Sequence, residues 1–443
     1  MNKQTLSKFD FTMIMVTLVI GMGIFRTPIN VAAKVPDATM FFAVWIFGGI
    51  VAICGALTFA EIGSRYPVTG GYYKIFSYAY HPSIAFAINC IILISNAASL
   101  AAVALIGAEY IIKVILPGEK DVQYIQIIIA IFSILFFYGV NLAGLKMSAK
   151  TQNVLAIIKI LLIVSLITPI FFYSSNESIS TDIISISNPT LREYIKAFGL
   201  GLVAVSFTYG GYQQSINFGQ EVKNPAKNIP LGIIYGLLII IVLYLSINYT
   251  YYKVIGFTAL KTSTNIAAVL SGHVFGPAAG KILSVLLFMS VLAYVNALLM
   301  SNPRVMQAMG EEGTLPKIFA ERTPKKDVLF YALTIFTITS IVIVFWAKQF
   351  DAILSFTMFL DCIGMVFSAA TIFKLRKTTA VLNGTGIFMM KFYPILPILF
   401  MLTYSFVGVI IFLDKPFTAL LGMGILGAFI GIYFLMPLVK GWK

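Results

Sequence analysis

The sequence predicts an all-α integral membrane protein of about twelve transmembrane helices, with two five-helix units inverted relative to each other and two accessory helices after them. Three observations carry this. The 443 residues are 59% hydrophobic and only 11% charged, whereas soluble domains carry about 25% charged residues. Apolar runs of the length a bilayer requires, about 20 residues, recur along the chain. Two of those runs, the first and the sixth, are interrupted midway by glycines.

Run length read against polar interruptions places spans at 11–33, 39–63, 83–115, 122–144, 149–173, 195–218, 230–254, 278–304, 328–347, 352–375, 391–413 and 415–437. The first has a signal peptide's position but lacks a small-residue cleavage site and carries Arg26 beyond its apolar run, so it reads as a mature span. It breaks within Thr17-Leu18-Val19-Ile20-Gly21-Met22-Gly23-Ile24-Phe25-Arg26-Thr27-Pro28. The sixth breaks within Val205-Ser206-Phe207-Thr208-Tyr209-Gly210-Gly211-Tyr212. Spans one to five (11–173) and six to ten (195–375) therefore read as two units, each opening with a broken helix. Five is odd, so the second unit is inverted, and the two breaks fall at similar depth around a central site. The last two spans (391–437) are accessory. The longest polar stretches, 174–194 outside and 305–327 inside, are too short to form a domain, so residues 1–443 make one polytopic membrane domain.

The net charge of +14 does not call for nucleic acid. Basic residues gather in alternate loops, with Lys3, Lys8, Arg65, Lys74, Lys223, Lys325, Lys326, Arg376 and Lys377 on the side that the positive-inside bias assigns to the cytoplasm. Both termini are expected there, in a cell membrane. Cys54, Cys90 and Cys362 lie in apolar segments and read as small hydrophobes, not as a disulfide framework.

Glycine costs a helix roughly 1 kcal/mol relative to alanine, and unwound backbone in a bilayer needs protein, water or a ligand to satisfy it. The helix N-terminus created after Gly21-Met22-Gly23 presents N–H groups and a positive dipole end, which suit a carboxylate. Helix ends near Val19 and Phe207 present carbonyls, which suit an ammonium. A site with both is built for a zwitterion, and the α-amino acid backbone is the obvious candidate. Glycines also let helices pack closely, but two breaks that each open a unit weigh against packing alone.

The same residues carry a resemblance. Gly21-Met22-Gly23-Ile24-Phe25 followed by Pro28 resembles the first-helix signature of the amino acid–polyamine–organocation superfamily. Glu61-Ile62-Gly63, Arg65-Tyr66-Pro67 and Gly70-Gly71-Tyr72 resemble the end of its second helix and the loop beyond. Phe207 to Tyr212, Glu221-Val222-Lys223-Asn224-Pro225 and Asn228-Ile229-Pro230 are similar to the sixth helix of the L-type amino acid transporters. Val295-Asn296, Ser301, Arg304 and Gly313 to Pro316 resemble their eighth helix and its cytoplasmic loop. The resemblance implies the inverted-repeat (LeuT-type) fold. It also implies that Gly21, Met22 and Gly23 amides hold a substrate carboxylate and that carbonyls of Val19, Phe207 and Gly210 hold its ammonium. Phe207 and Tyr212 would be aromatic lids, and Asn296 the pocket floor. Met22 departs from a common serine and Tyr212 from a common tryptophan, which leaves side-chain preference open.

Lys159 lies about ten residues into the fifth span, roughly 15 Å deep at 1.5 Å per residue. A lysine there costs about 2.5–3.5 kcal/mol on insertion scales, so it is expected to face the bundle interior and to take part in coupling. In sodium-free members of the superfamily a lysine in this helix resembles a tethered substitute for a bound sodium ion. The plainer reading is a satisfied lysine bracing helices one and eight. Arg26 and Asp361 resemble the extracellular Arg–Asp gate of the sodium-coupled neurotransmitter transporters. Glu109 with Lys113 reads as a surface i,i+4 pair, and Glu61 pairs either with Arg65 or with inner-gate groups.

The leading expectation is a secondary amino acid transporter, sodium-independent, working by exchange or proton symport. A polyamine or other organic-cation permease of the same fold is the alternative, though it calls for more acidic residues than Asp361 and Glu109. A channel would want rings of pore-lining polar groups. An enzyme is not expected, since the two histidines, His81 and His273, fall in loops and no cofactor or metal spacing exists. Animal L-type members attach to a glycoprotein through a cysteine after the third helix. Here that loop, Leu116-Pro117-Gly118-Glu119-Lys120-Asp121, has none, and no disulfide-linked heavy chain is expected. The partners called for are an amino acid, protons and the lipid bilayer.

Overall fold

The computed structural model describes residues 5–21, 23–116, 122–172, 190–262, 266–346 and 350–436. The first span is two helices, α1 (Lys8–Val19) and α2 (Gly23–Lys34). Ser7 starts α1: its hydroxyl accepts from the Asp10 amide at 3.1 Å, and the Asp10 carboxylate accepts from the Ser7 amide at 2.9 Å. That reciprocal cap satisfies two backbone donors at the helix start. The second to fifth spans follow as α3 (Ala38–Arg65), then, after a short α4 (Gly71–Ala79), α5 (Pro82–Ile115), α6 (Gln123–Leu142) and α7 (Leu145–Ile167). The chain continues through α8 (Leu191–Tyr209), α9 (Pro225–Ile255), the short α10 (Phe257–Thr262) and α11 (Ile266–Phe275), α12 (Pro277–Glu311), α13 (Phe330–Trp346) and α14 (Phe350–Thr378). Two further helices, α15 (Ile395–Asp414) and α16 (Pro416–Leu435), complete an all-helical membrane fold. At 1.5 Å per residue α5 and α12 are about 50 Å long, against a hydrocarbon core of about 30 Å, and so must tilt or protrude.

Three details differ from the sequence reading. The sixth span does not continue as an α-helix to residue 218: after Tyr209 it turns through 3-10 segments at Tyr212–Asn217 and Gly219–Glu221. Gly211 at φ 112° ends the helix, and neighbours satisfy the backbone that follows. The Ser215 hydroxyl donates to the Tyr212 carbonyl at 2.6 Å, and the Gly70 amide donates to the Asn217 carbonyl at 3.0 Å. Helices α4, α10 and α11 occupy what read as loops, and α11 takes in His273, which was expected in a loop. The polar stretch from 305 is helical to Glu311, because α12 carries on past the apolar run. Of the other polar stretch, residues 173–189 lie outside the described residues.

The core joins helices from distant parts of the chain. Trp45 of α3, Tyr209 of α8 and Tyr244 of α9 are buried together, their ring centroids 5.2 to 6.0 Å apart. Helices α6 and α16 lie at the periphery and expose Phe132, Phe136, Leu420 and Leu421, as lipid-facing helices do.

On the face that carries the N-terminus of α1, two buried carboxylates each hold two arginines. Glu61 accepts from Arg65 at 2.7 Å, from Arg376 at 2.7 and 2.8 Å, and from the Met390 amide at 2.9 Å. Glu221 accepts from Arg304 at 2.5 and 3.1 Å and from Arg322 at 3.2 Å, while its carbonyl takes the Thr5 and Leu6 amides. Glu61 is thus no surface pair: Arg65 and Arg376 share it with no exposure of its side chain. Buried ions hold only when paired and hydrogen-bonded, and these clusters tie α3 to α14 and α12 to the segment before α9. Glu109 and Lys113, by contrast, form the exposed i,i+4 pair at 2.7 Å.

Candidate functional site at the helix breaks

Helix α1 ends at Val19, and its last carbonyls find partners from three directions. The Ile20 amide returns to Val16, and the Gly21 amide donates to the Val19 carbonyl at 2.8 Å. The Tyr244 hydroxyl lies 3.4 Å from both the Val19 and the Thr208 carbonyl, between the ends of the two broken helices. The fully buried Lys159 ammonium donates to the Ile20 carbonyl, so the lysine does face the bundle interior, pinned to the break. Helix α2 begins at Gly23. Met22 lies outside the described residues.

The second break abuts the first. Gly211 has φ 112°, and a methyl group on it would sit 2.2 Å from the Leu18 carbonyl oxygen. A methyl on Gly23 would sit 2.9 Å from the Thr208 side chain, whose hydroxyl bonds Thr27 at 2.7 Å. Glycine is needed here for close approach of one backbone to another, in addition to its conformational freedom. The Gly210 amide donates to the Phe207 carbonyl at 3.2 Å, and the Gly211 amide to the Gln213 side chain at 2.9 Å.

A cavity of about 1100 Å³, its mouth included, opens where the breaks meet. Val19, Gly21, Gly23, Phe207 and Gly210 all line it, as do Arg26 and Asp361. It runs from the breaks along α2 as far as Asn30 and along α5 as far as Ile106, away from the face sealed by the two carboxylates. Two expected residues are elsewhere. Tyr212 is fully buried against Phe59, with its hydroxyl close to Gly55, and does not line the cavity, because the 3-10 turn carries its ring into the core. Asn296 is also fully buried and away from the lining: its amide donates to Gln152 at 2.6 Å and accepts from Asn141 at 2.9 Å. A mid-span amide satisfied by two others is a core network, and neither residue lines this cavity. Arg26 and Asp361 face the same cavity, but no ion pair joins them among the described residues.

The sequence reading missed the polar wall. Ser95, Asn96 and Ser99 of α5, Gln213 and Gln214 of the 3-10 turn, and Tyr294 of α12 line the cavity beside the breaks. The signal was present in the run Tyr212-Gln213-Gln214-Ser215-Ile216-Asn217, too polar for a lipid-facing helix, and in Asn96, an amide in mid-span.

Comparison with known proteins places this geometry in context. Residues 6–435 match the family described as amino acid permease. The chain is similar to the serine/threonine exchanger SteT of Bacillus subtilis, 28% identical over 88% of this chain and 87% of that protein. It is similar to the methylthioribose transporter of Bacillus subtilis, 27% identical over 72% of this chain and 70% of that protein. Likeness to the large neutral amino acids transporter small subunit 2 of Mus musculus is 23% identity over 95% of this chain and 79% of that protein.

Proposed function

The chain belongs to the amino acid permease family of the amino acid–polyamine–organocation superfamily, and from that premise we propose that it carries amino acids across the cell membrane by alternating access, without sodium. The observation that carries the reading is the convergence of the two helix breaks on one cavity lined by Val19, Gly21, Gly23, Phe207 and Gly210. The N-terminus of α2 favours a carboxylate, and the carbonyl ends of α1 and α8 favour an ammonium. The Val19 carbonyl and Gly21 amide bond each other, and a zwitterion would split that bond and satisfy both groups. Several acidic residues would be needed for a polyamine, and Asp361 is the one carboxylate among the described residues of the lining.

Lys159 supports sodium independence: a tethered ammonium already donates to the Ile20 carbonyl, where a mobile cation would otherwise offset the negative helix end. Arg26 and Asp361 serve as an outer gate that closes over bound substrate. The sealed, lysine-rich face is cytoplasmic by the positive-inside bias, so this conformation faces outward, and units 11–173 and 195–375 rock against each other to reverse access. The word exchanger in a relative's name favours exchange over symport.

The test is uptake of a labelled amino-acid panel, with methylthioribose as comparator, into proteoliposomes. Uptake that requires internal amino acid establishes exchange, and uptake driven by an imposed proton gradient establishes symport. Methylthioribose taken up with no amino acid transported would overturn the assignment.

A further inference from the structure

Between the cavity and the sealed face lies a ladder of side-chain amides and hydroxyls. Asn96 of α5 and Gln214 of the 3-10 turn form a reciprocal pair at 3.4 and 3.1 Å, and both line the cavity. Asn96 also donates to Asn302 of α12 at 2.7 Å, and Asn302 is buried beyond the lining. Next come Ser301 and Asn217, joined at 3.1 Å, and the Tyr72 amide, which donates to the Asn217 side chain at 2.9 Å. The Glu221–Arg304 pair lies beyond them. The top pair therefore bridges the first unit to the second at the point where the broken helix resumes.

We propose that the Asn96–Gln214 pair is the latch that keeps this end of the cavity shut, and that it selects amino acids whose side chains carry a hydroxyl or an amide. Opening toward the sealed face must part α5 from the 3-10 turn and break the reciprocal bonds. A nearly buried amide parted from its partner is costly unless another group replaces it. A substrate hydroxyl or carboxamide supplies a donor and an acceptor to the parted side chains, whereas an aliphatic side chain of the same shape supplies neither. Sites built to hydrogen-bond a substrate group reject the analogue that lacks it. Ser95, Ser99 and Tyr294, with Ser99 and Tyr294 joined at 3.1 Å, extend the same polar wall.

The inference rests on the amino acid reading, and its test separates the two. Threonine and valine are near-isosteric and differ by one hydroxyl, so the ratio of their exchange efficiencies (kcat/KM) within one preparation cancels expression and folding. We expect the wild-type protein to favour threonine by about tenfold or more, chiefly in kcat. Asn96→Leu/Gln214→Leu should bring the ratio to within about twofold of unity. Should that variant fail to insert, Gln214→Leu alone should lower the ratio at least threefold. Equal transport of threonine and valine by the wild type, or an unchanged ratio in the variants, overturns the latch and leaves amino acid transport standing. Failure to carry any amino acid overturns both.

Discussion

Gly211→Ala is expected to lower amino acid exchange by at least about a hundredfold while the protein still inserts in the membrane. At φ 112° an L side chain is strained, and its methyl would lie 2.2 Å from the Leu18 carbonyl oxygen and 2.8 Å from its carbon. Backbone strain of this kind costs about 1–3 kcal/mol. The overlap is with backbone on the partner break, so relief must come from moving one broken helix away from the other. About 1.4 kcal/mol corresponds to tenfold, and the two terms together reach the stated loss. Initial exchange rates, normalised to monodisperse protein, check it. Gly139→Ala is the control: nothing lies within 4 Å of the added carbon, and activity should stay within about twofold. Gly23→Ala should fall between them, because the group it meets is the Thr208 side chain, and Thr208→Ala in the same protein should restore part of the loss.

Lys159→Ala carries the second large effect. The substitution leaves the Ile20 carbonyl without its ammonium in a fully buried position. A buried polar group stripped of its partner costs about 1–3 kcal/mol, and the cation that offsets the α1 helix end goes with it. Exchange at neutral pH should drop at least about tenfold, and whatever pH dependence the wild type shows should flatten. Wild-type exchange should be the same in sodium and choline media. A Lys159→Ala variant with wild-type rates and pH profile would remove Lys159 from the coupling role and leave it a brace.

Much of this was readable from composition and spacing. Apolar run length located the spans, and the glycines located both breaks, because a bilayer punishes unwound backbone wherever it is unpartnered. Lys159 was readable for the same reason, since a charge ten residues into a span must turn inward. The sequence reading failed where a residue's role depends on which neighbour meets it across hundreds of residues. The resemblance gave Asn296 and Tyr212 pocket roles, but here Gln152 and Asn141 satisfy the first and Phe59 packs the second. Glu61 looked half superficial until Arg376, more than 300 residues on, closed over it. The 3-10 turn after Gly211 was hidden because the Gly70 and Tyr72 amides, distant in sequence, pin its Asn217 end and leave no periodic trace in the local sequence. Gln214 and Asn96 were legible as polar residues out of place in apolar spans, but their pairing was not, since it joins residues more than a hundred positions apart.

The central claim is that the two breaks form one site for a zwitterion. Competition for exchange tests it most directly, using the best amino acid of the panel, its methyl ester and its deaminated acid. The parent compound alone should compete, with each analogue weaker by about a hundredfold or more, since each leaves one helix terminus without its charge-assisted partner. An ester or a deaminated acid that competes within threefold of the parent would contradict the claim.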